Sequence, residues 1–413
     1  MRENSRRWEA QLSVRQPVIL LGYPTNGYLS LNNRVYRYSQ LGSEGERDLT
    51  YYNRYFVRYT QPLFQPNSLR NNLEQAELNL EDSQFDFYED VMEVVDDVSG
   101  DYFGLFEIAY EQESYSAYVS DLETARAAAR DAAAADSSRA IELDQVTVEL
   151  ANALERLQSL RSRFRLETSR LKTSLNLPDS VVLSLNPIIE VRPVPIDVDQ
   201  ATRFARELTP RLRQLDLSRR ENEIQLDETK GRGGFRMDVE LTYGREMQDP
   251  ALRDLWGEPS NTYTVDVNAS VPIWDWGERR SRIEAQRIGL ERTRLQIEQA
   301  EAQIVSNVAN EVRNVEELEK RALAMEQNLS LAAGISERSI ERYREGTIGA
   351  LDLLQSLRRE ADTAKNFLDA YIGWRRSIQE LQELTYYDFE SGQPVLQRFG
   401  VMDAAGEIVI GPG

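Results

Sequence analysis

Two stretches of this chain carry the same marks in the same order, and that duplication limits the possible folds more than any single motif. Gln61-Pro62-Leu63-Phe64-Gln65-Pro66-Asn67 aligns with Val271-Pro272-Ile273-Trp274-Asp275-Trp276-Gly277 at an offset of 210. Ile141-Glu142-Leu143-Asp144 aligns with Gly349-Ala350-Leu351-Asp352 at an offset of 208. Two landmarks at nearly one spacing indicate a tandem duplication with a two-residue indel. The expected organisation is one domain of two repeats, residues 1–195 and 196–413.

Each repeat runs from strands through a proline into helix. Tyr263, Val265, Val267, Ala269, Val271 and Ile273 alternate with polar residues, and Phe235, Met237, Val239, Leu241 and Tyr243 repeat the pattern. Strands are therefore expected at about 235–244 and 262–274, with tyrosine-rich counterparts at about 27–38 and 51–61. Pro62 and Pro272 mark the strand-to-helix junctions, because proline has no N–H to continue a ladder.

Beyond each proline, apolar residues recur at threes and fours: Ile297, Ile304, Val308, Val312, Val315 in the second repeat, where no proline interrupts Glu278 to Glu345, and Leu69, Leu73, Ala76, Leu80 in the first. At 1.5 Å per residue, the stretch from Glu278 to Glu345 is roughly 100 Å of helix. A break near Ser137-Ser138 or Gly346 precedes a returning helix, which gives helical hairpins over about 67–176 and 278–385 and a tail over 386–413. Pro178 to Pro195 reads as a linker, and Asp199 to Asp227 as one shorter amphipathic helix. Glu3 to Val14 occupies the matching place in the first repeat, and by that comparison the chain is expected to lack the start of its first repeat.

Composition removes most chemistry. The sequence has no cysteine and no histidine, so thiol nucleophiles, disulfides, Cys/His zinc sites and every Ser-His or Cys-His arrangement are excluded. A net charge of −20 disfavours nucleic acid as a partner. Lys230-Gly231-Arg232-Gly233-Gly234 has neither phosphate-loop spacing and reads as a turn before a strand. Asp197-Val198-Asp199 lacks the later ligands of a calcium loop and reads as a helix N-cap. No enzyme, cofactor or metal site is expected. The apolar runs are far shorter than the roughly 18–20 residues of a spanning helix. Met1 to Gln11 has no secretory apolar core, which leaves a cytosolic protein or a chain that starts inside a longer precursor.

Four strands with one apolar face cannot close a barrel, since about eight are needed to fill one. Either several copies share a transmembrane barrel, or the strands form a half-buried soluble sheet beside coiled-coil hairpins, a structural scaffold without a pore.

Val-Pro-Ile-Trp-Asp-Trp-Gly-Glu-Arg-Arg at 271–280 and Arg-Tyr-Arg-Glu-Gly-Thr-Ile-Gly-Ala-Leu-Asp-Leu-Leu at 342–354 make the chain similar to the TolC-like outer-membrane efflux proteins. The resemblance covers nearly the whole chain and is weaker in the first half. It implies an α+β membrane protein: a homotrimer in the outer-membrane lipid, with a twelve-stranded β-barrel continued by the hairpins as a periplasmic tunnel. It also implies a passive duct serving tripartite efflux or type I secretion, with a periplasmic adaptor protein as direct partner and an inner-membrane pump as indirect one. By the same resemblance Asp352 falls where an inward aspartate narrows the periplasmic entrance, and Gln355 replaces a second one. Capping or solvation of Asp352 remains the alternative, and Asp144 at the matching outer position favours capping. Gly346, Thr347, Ile348, Gly349, Ala350 and Leu351 form the tip at which the adaptor would dock, their glycines and small side chains suiting close approach of another hairpin.

Overall fold

The computed structural model describes residues 5–41 and 47–401. Residues 402–413 of the expected tail, and the first two of the Glu3–Val14 stretch, lie outside the described residues. The chain divides into two compact units, Met1–Ser83 with Gln214–Glu298 and Gln84–Arg213 with Gln299–Gly413.

The first unit is built on one antiparallel sheet of five strands in chain order: β1 (Ser5–Leu20), β2 (Tyr23–Leu41), β3 (Arg47–Leu63), β4 (Arg236–Asp249) and β5 (Ser260–Ser270). The expected four strands are thus corrected to five. Glu3 to Val14, matched above to a helix, belongs to β1 over its described part. Its residues explain why: Trp8, Ala10, Leu12 and Val14 alternate with Arg7, Glu9, Gln11, Ser13 and Arg15, a period of two that no helix can use. Leu21 and Gly22, both at positive φ, join β1 to β2 in a two-residue turn whose twist matches the strands. The register shifts between Pro17 and Ile19, where Pro17 has no N–H to give the ladder.

The ladder ends differently at the two junction prolines. Pro62 still pairs with Asp238 inside β3, whereas β5 stops at Ser270 and Pro272 lies beyond it, so the second strand is shorter than expected. Two helices begin after these junctions, α1 (Ser68–Ala135) and α5 (Glu278–Arg344). The helix before β4 is also interrupted. α3 (Val198–Leu208) and α4 (Pro210–Arg232) replace the single helix expected over 199–227, because Pro210 is suited to a first helical position and forces Thr209 into extended backbone. Asp197 caps α3, its carboxylate accepting from the Gln200 N–H at 2.8 Å. Gly231 lies inside α4 rather than in a turn. A Cβ there would sit 2.2 Å from Pro66 Cγ, so the residue is glycine for close packing.

The second unit holds α1 from Gln84 and α5 from Gln299 with the returning helices: α1 returns as α2 (Ala140–Ser174) and α5 as α6 (Ala350–Thr385). Leu122, Ala125, Ala129, Val146, Leu150, Leu353 and Leu357 form one core near the tips. A second core packs Ala201 and Ala205 of α3 against Val308, Val312 and Val315 of α5 and Trp374, Ile378 and Leu381 of α6. Small residues on α3 permit that close approach. After α6 the chain turns through a short ladder, β6 (Tyr387–Asp388) with β7 (Gln393–Pro394), into α7 (Val395–Arg398). Asp388, fully buried, organises this turn: its carboxylate accepts from the Glu390 N–H, the Ser391 hydroxyl and Arg398, and together these hold it below the usual carboxylate range against burial, which pushes it up.

Candidate functional site: two sheet faces and a hairpin tip

The ladder registers stack side chains into rows across the sheet. One row reads Val14, Leu31, Val57, Tyr243, Tyr263; the next on the same face contains Leu29, Tyr59, Leu241 and Val265. These apolar side chains are not core. Val265 is 69% exposed and Tyr263 75%. The opposite face is polar, with rows such as Arg15, Ser30, Arg58, Thr242, Thr264. A sheet in water normally turns its apolar face inward, so this arrangement is reversed with respect to a soluble protein.

Aromatic residues bound the apolar band at both ends. Tyr243 and Tyr263 stand 5.0 Å apart between ring centroids at one end. At the other, Phe64 lies against Phe235 at 5.3 Å, and Trp274 against Trp276 at 5.7 Å. The step from Tyr263 to Ser270 is about 24 Å of strand at 3.4 Å per residue, which at the roughly 35–45° tilt of an outer-membrane barrel strand is about 17–20 Å of height, most of the ~25 Å apolar belt between its aromatic girdles. The sequence reading missed these girdles. The signal for the Phe and Trp girdle was the set of bulky aromatics within a few residues of the strand ends, Phe64, Phe235, Trp274 and Trp276.

At the second hairpin's tip, α5 ends in a Schellman turn: Gly346 N–H donates to the Tyr343 carbonyl at 3.0 Å and Thr347 N–H to the Arg342 carbonyl at 2.9 Å, with Gly346 at φ +73°. Gly349 is the N-cap of α6 and has no side chain to accept from the helix's first N–H groups. Ile348 packs inward against the tip core and Ala350 is buried within it, while Leu351 is exposed. Asp352 sits in the first turn of α6, where the helix N-terminus favours a carboxylate, and both Asp352 and Gln355 are exposed, with Leu353 and Leu357 turned to the core. Asp144 lies inside α2 and does not cap it; α2 has no side-chain cap, and Asp136 caps the short turn Ser137–Arg139 before it, accepting from the Ser138 N–H at 2.9 Å.

Three carboxylates tie the hairpins together. Tyr343 of α5 donates its hydroxyl to Glu142 Oε2 at 3.0 Å, and Arg139 pairs with the same carboxylate at 2.8 Å. Burial, and the hydroxyl's bond to Glu142, push Tyr343 up to about 12. Glu149 takes the Tyr118 hydroxyl at 2.7 Å and Arg358 of α6. Glu111, buried in α1, is flanked by Arg156 of α2 at 3.2 Å and Lys365 of α6 at 3.3 Å. Each node joins elements distant in sequence, and none was visible from local pattern.

A different pairing joins α1 to α6 between two acids. Burial pushes Glu383 up to about 7, with the Asp96 carboxyl against it and Glu380 adding like charge, while Gln379 donates to Asp96. An acid whose folded pKa is raised binds its proton more tightly in the folded state, so stability falls as pH rises from the unfolded value towards 7. The chain has no histidine, so no imidazole titration overlies that of this pair near neutrality. The melting temperature of the wild type is therefore expected to rise between pH 8 and 6, and that of Glu383→Gln to stay flat and exceed the wild type at pH 8, by thermal melts over that range. Wild-type melting independent of pH would mean that the pair does not share a proton.

Residues 205–385 match the family model of the outer membrane efflux protein. No curated protein sequence matches the chain. Among solved structures the fold is similar to that of CusC, whose structures concern transmembrane channel formation (TM-score 0.68, 13% identity, 92% of this chain and 83% of that one). It is similar also to the outer membrane protein VceC of Vibrio cholerae (0.66, 12%, 94% and 87%) and to the MtrE outer membrane channel of Neisseria gonorrhoeae in its open state (0.65, 16%, 92% and 80%). The resemblance to TolC-like outer-membrane efflux proteins, first read from the residues around Pro272 and Gly346, is borne out by these matches.

Proposed function

We propose that this chain is one protomer of an outer-membrane efflux channel, a passive exit duct whose sheet joins those of two further copies in a membrane barrel and whose hairpins form a tunnel in the periplasm. The observation that carries this reading is the reversed sheet: its exposed face is apolar between aromatic girdles, and its other face is polar. Open strand edges are not tolerated in lipid, so β1 and β5 need partners that a single copy lacks. No helix among the described residues is long and apolar enough to cross a membrane, so any spanning falls to the strands.

In this reading the tip from Gly346 to Leu351 meets a periplasmic adaptor that brings cargo from an inner-membrane pump, in tripartite efflux or type I secretion. Asp352, exposed beside the tip, lines the entrance, and Gln355 one turn later adds no charge. Three Asp352 carboxylates around an axis would favour cations.

Extraction and single-channel recording test this reading together. The protein is expected to leave the outer-membrane fraction only with detergent, to run with the mass of three chains plus micelle, and to conduct in planar bilayers. Asp352→Ala should lower cation selectivity and raise conductance, while Asp144→Ala on the outer hairpin changes little. A detergent-free monomer with native circular dichroism would establish the scaffold alternative instead. Equal effects of the two substitutions would remove Asp352 from the constriction.

A further inference from the structure

The polar face of the sheet sorts its charge by strand. Among the described side chains, β1 to β3 carry Arg7, Arg15, Arg34, Arg54 and Arg58 on this face against Glu9, whereas β4 and β5 carry Asp238, Glu240, Glu246 and Asp266 against Arg236. Sheet stability accounts for the sorting only at the β3–β4 seam, where Arg54 stands opposite Glu246 and Arg58 reaches Glu240. Cross-strand pairs are stabilised by opposite charges and destabilised by like ones, yet Arg34 stands directly opposite Arg54.

Part of the charge is neutralised locally. Glu9 is held by Arg34 and, at 3.0 Å, by Arg7; Glu240 is held by Arg58 at 2.8 Å across the β3–β4 seam. The remainder is not. Arg15 lies 3.9 Å over the Tyr28 ring and Arg54 5.6 Å from that of Phe56, while Glu246 and Asp266 have no ion-pair partner among the described side chains. Net positive charge thus stays on the first three strands and, with Arg236 offsetting one of the four carboxylates, net negative charge on the last two.

We propose that this face is a dipole-orienting wall, and that the cargo class it favours is amphoteric: small molecules carrying a positive and a negative group together. The proposal rests on the reading of the polar face as the channel lining. Neighbouring strands lie ~4.8 Å apart, so the two sectors are roughly 10–14 Å wide. That is comparable with the ~10 Å Debye length at 0.1 M salt, and the fields of adjoining sectors are not fully screened from one another. Around a symmetric barrel, basic and acidic sectors alternate. A net anion or net cation is attracted by one sector and repelled by the next, and gains little. A zwitterion places each end against the sector of opposite sign, most readily along the β3–β4 seam where Arg54 faces Glu246.

The full-length trimer in liposomes provides the test, with glycylglycine as zwitterion and a neutral pentose as uncharged probe. At about 10 mM salt, with a Debye length of ~30 Å, glycylglycine should leave at least about threefold faster than the pentose, a modest figure for field focusing. The ratio should fall towards one at about 1 M salt, where the Debye length is ~3 Å. It should also fall in Arg15→Gln/Arg54→Gln and in Glu246→Gln/Asp266→Asn, both checked for heat-resistant trimers, with the pentose rate unchanged. In bilayers the first pair should shift the reversal potential towards cations and the second towards anions. A wild-type ratio of one at low salt, or a raised ratio that persists in both pairs, overturns the proposal while leaving the channel intact. Failure of both probes to leave wild-type liposomes overturns the channel reading and this inference with it.

Discussion

Val265→Arg should abolish recovery of the protein from the outer membrane, and Thr264→Arg, one residue earlier, should leave it nearly unchanged. The two positions differ only in face. Val265 shares its row with Leu29, Tyr59 and Leu241 on the exposed apolar side, and Thr264 shares its row with Arg15, Ser30 and Arg58 on the polar side. An arginine on the lipid face of an outer-membrane barrel costs about 2–4 kcal/mol at the midplane and about 0–1 at the interface; Val265, two residues inside the Tyr263 end of the band, lies between these limits, and every copy bears the cost. On the polar face the same guanidinium meets water. Membrane fractionation with a heat-resistance gel for the trimer reads both variants, and Leu241→Arg, directly beside Val265 on β4, should behave as Val265→Arg does. If Val265→Arg and Thr264→Arg are recovered equally, the apolar face does not meet lipid. An effect confined to Thr264→Arg would reverse the assignment of the faces.

The strand and hairpin plan was legible because its signals are local and periodic. Tyr263 to Ala269 alternate at every residue of β5, and the prolines at 62 and 272 punctuate both halves. β1 carries an equally clear alternation from Arg7 to Arg15, but comparison with the second repeat pointed to a helix at that place and prevailed over the local period. Thr209-Pro210 is a stop signal inside a run that stays amphipathic on both sides, so periodicity alone predicts one helix where α3 and α4 are two. The carboxylate nodes lay further out of reach. Tyr343 and Glu142 are 201 residues apart in sequence, and their meeting depends on how the hairpins pack around Leu122, Val146 and Leu353. Local sequence carries no information on that register. The burial of Asp388 is similar, since only the closed turn from Tyr387 to Arg398 brings Ser391 and Arg398 to one carboxylate. Asp352 could be located on its helix from spacing alone, and its exposure follows from Leu353 and Leu357 taking the core side.

Gly349→Trp should abolish adaptor crosslinking and export while the trimer assembles and resists heat as before. The tip is built so that this position can change without disturbing the fold. Gly349 has ordinary negative φ, and a Cβ built there meets no atom within 4 Å, so an indole projects into open space. The turn itself depends on other residues: Gly346 at φ +73° with its two Schellman hydrogen bonds, Ile348 against the tip core, and Tyr343 anchored on Glu142. The strands belong to the other compact unit, and no sheet residue is touched by the substitution. What changes is the surface offered to a partner, where glycine and alanine allow helices to approach closely and tryptophan holds them apart. Gly346→Trp serves as the contrasting variant. It forces a bulky residue into left-handed backbone, a strain of order 1–3 kcal/mol, and should lower tip stability as well as docking. Site-specific crosslinking to the adaptor, export of a fluorescent cargo and a heat-resistance gel separate these outcomes. Undiminished export with tryptophan at position 349 would reduce the tip to a turn between helices, and loss of the trimer would place Gly349 in assembly instead of docking.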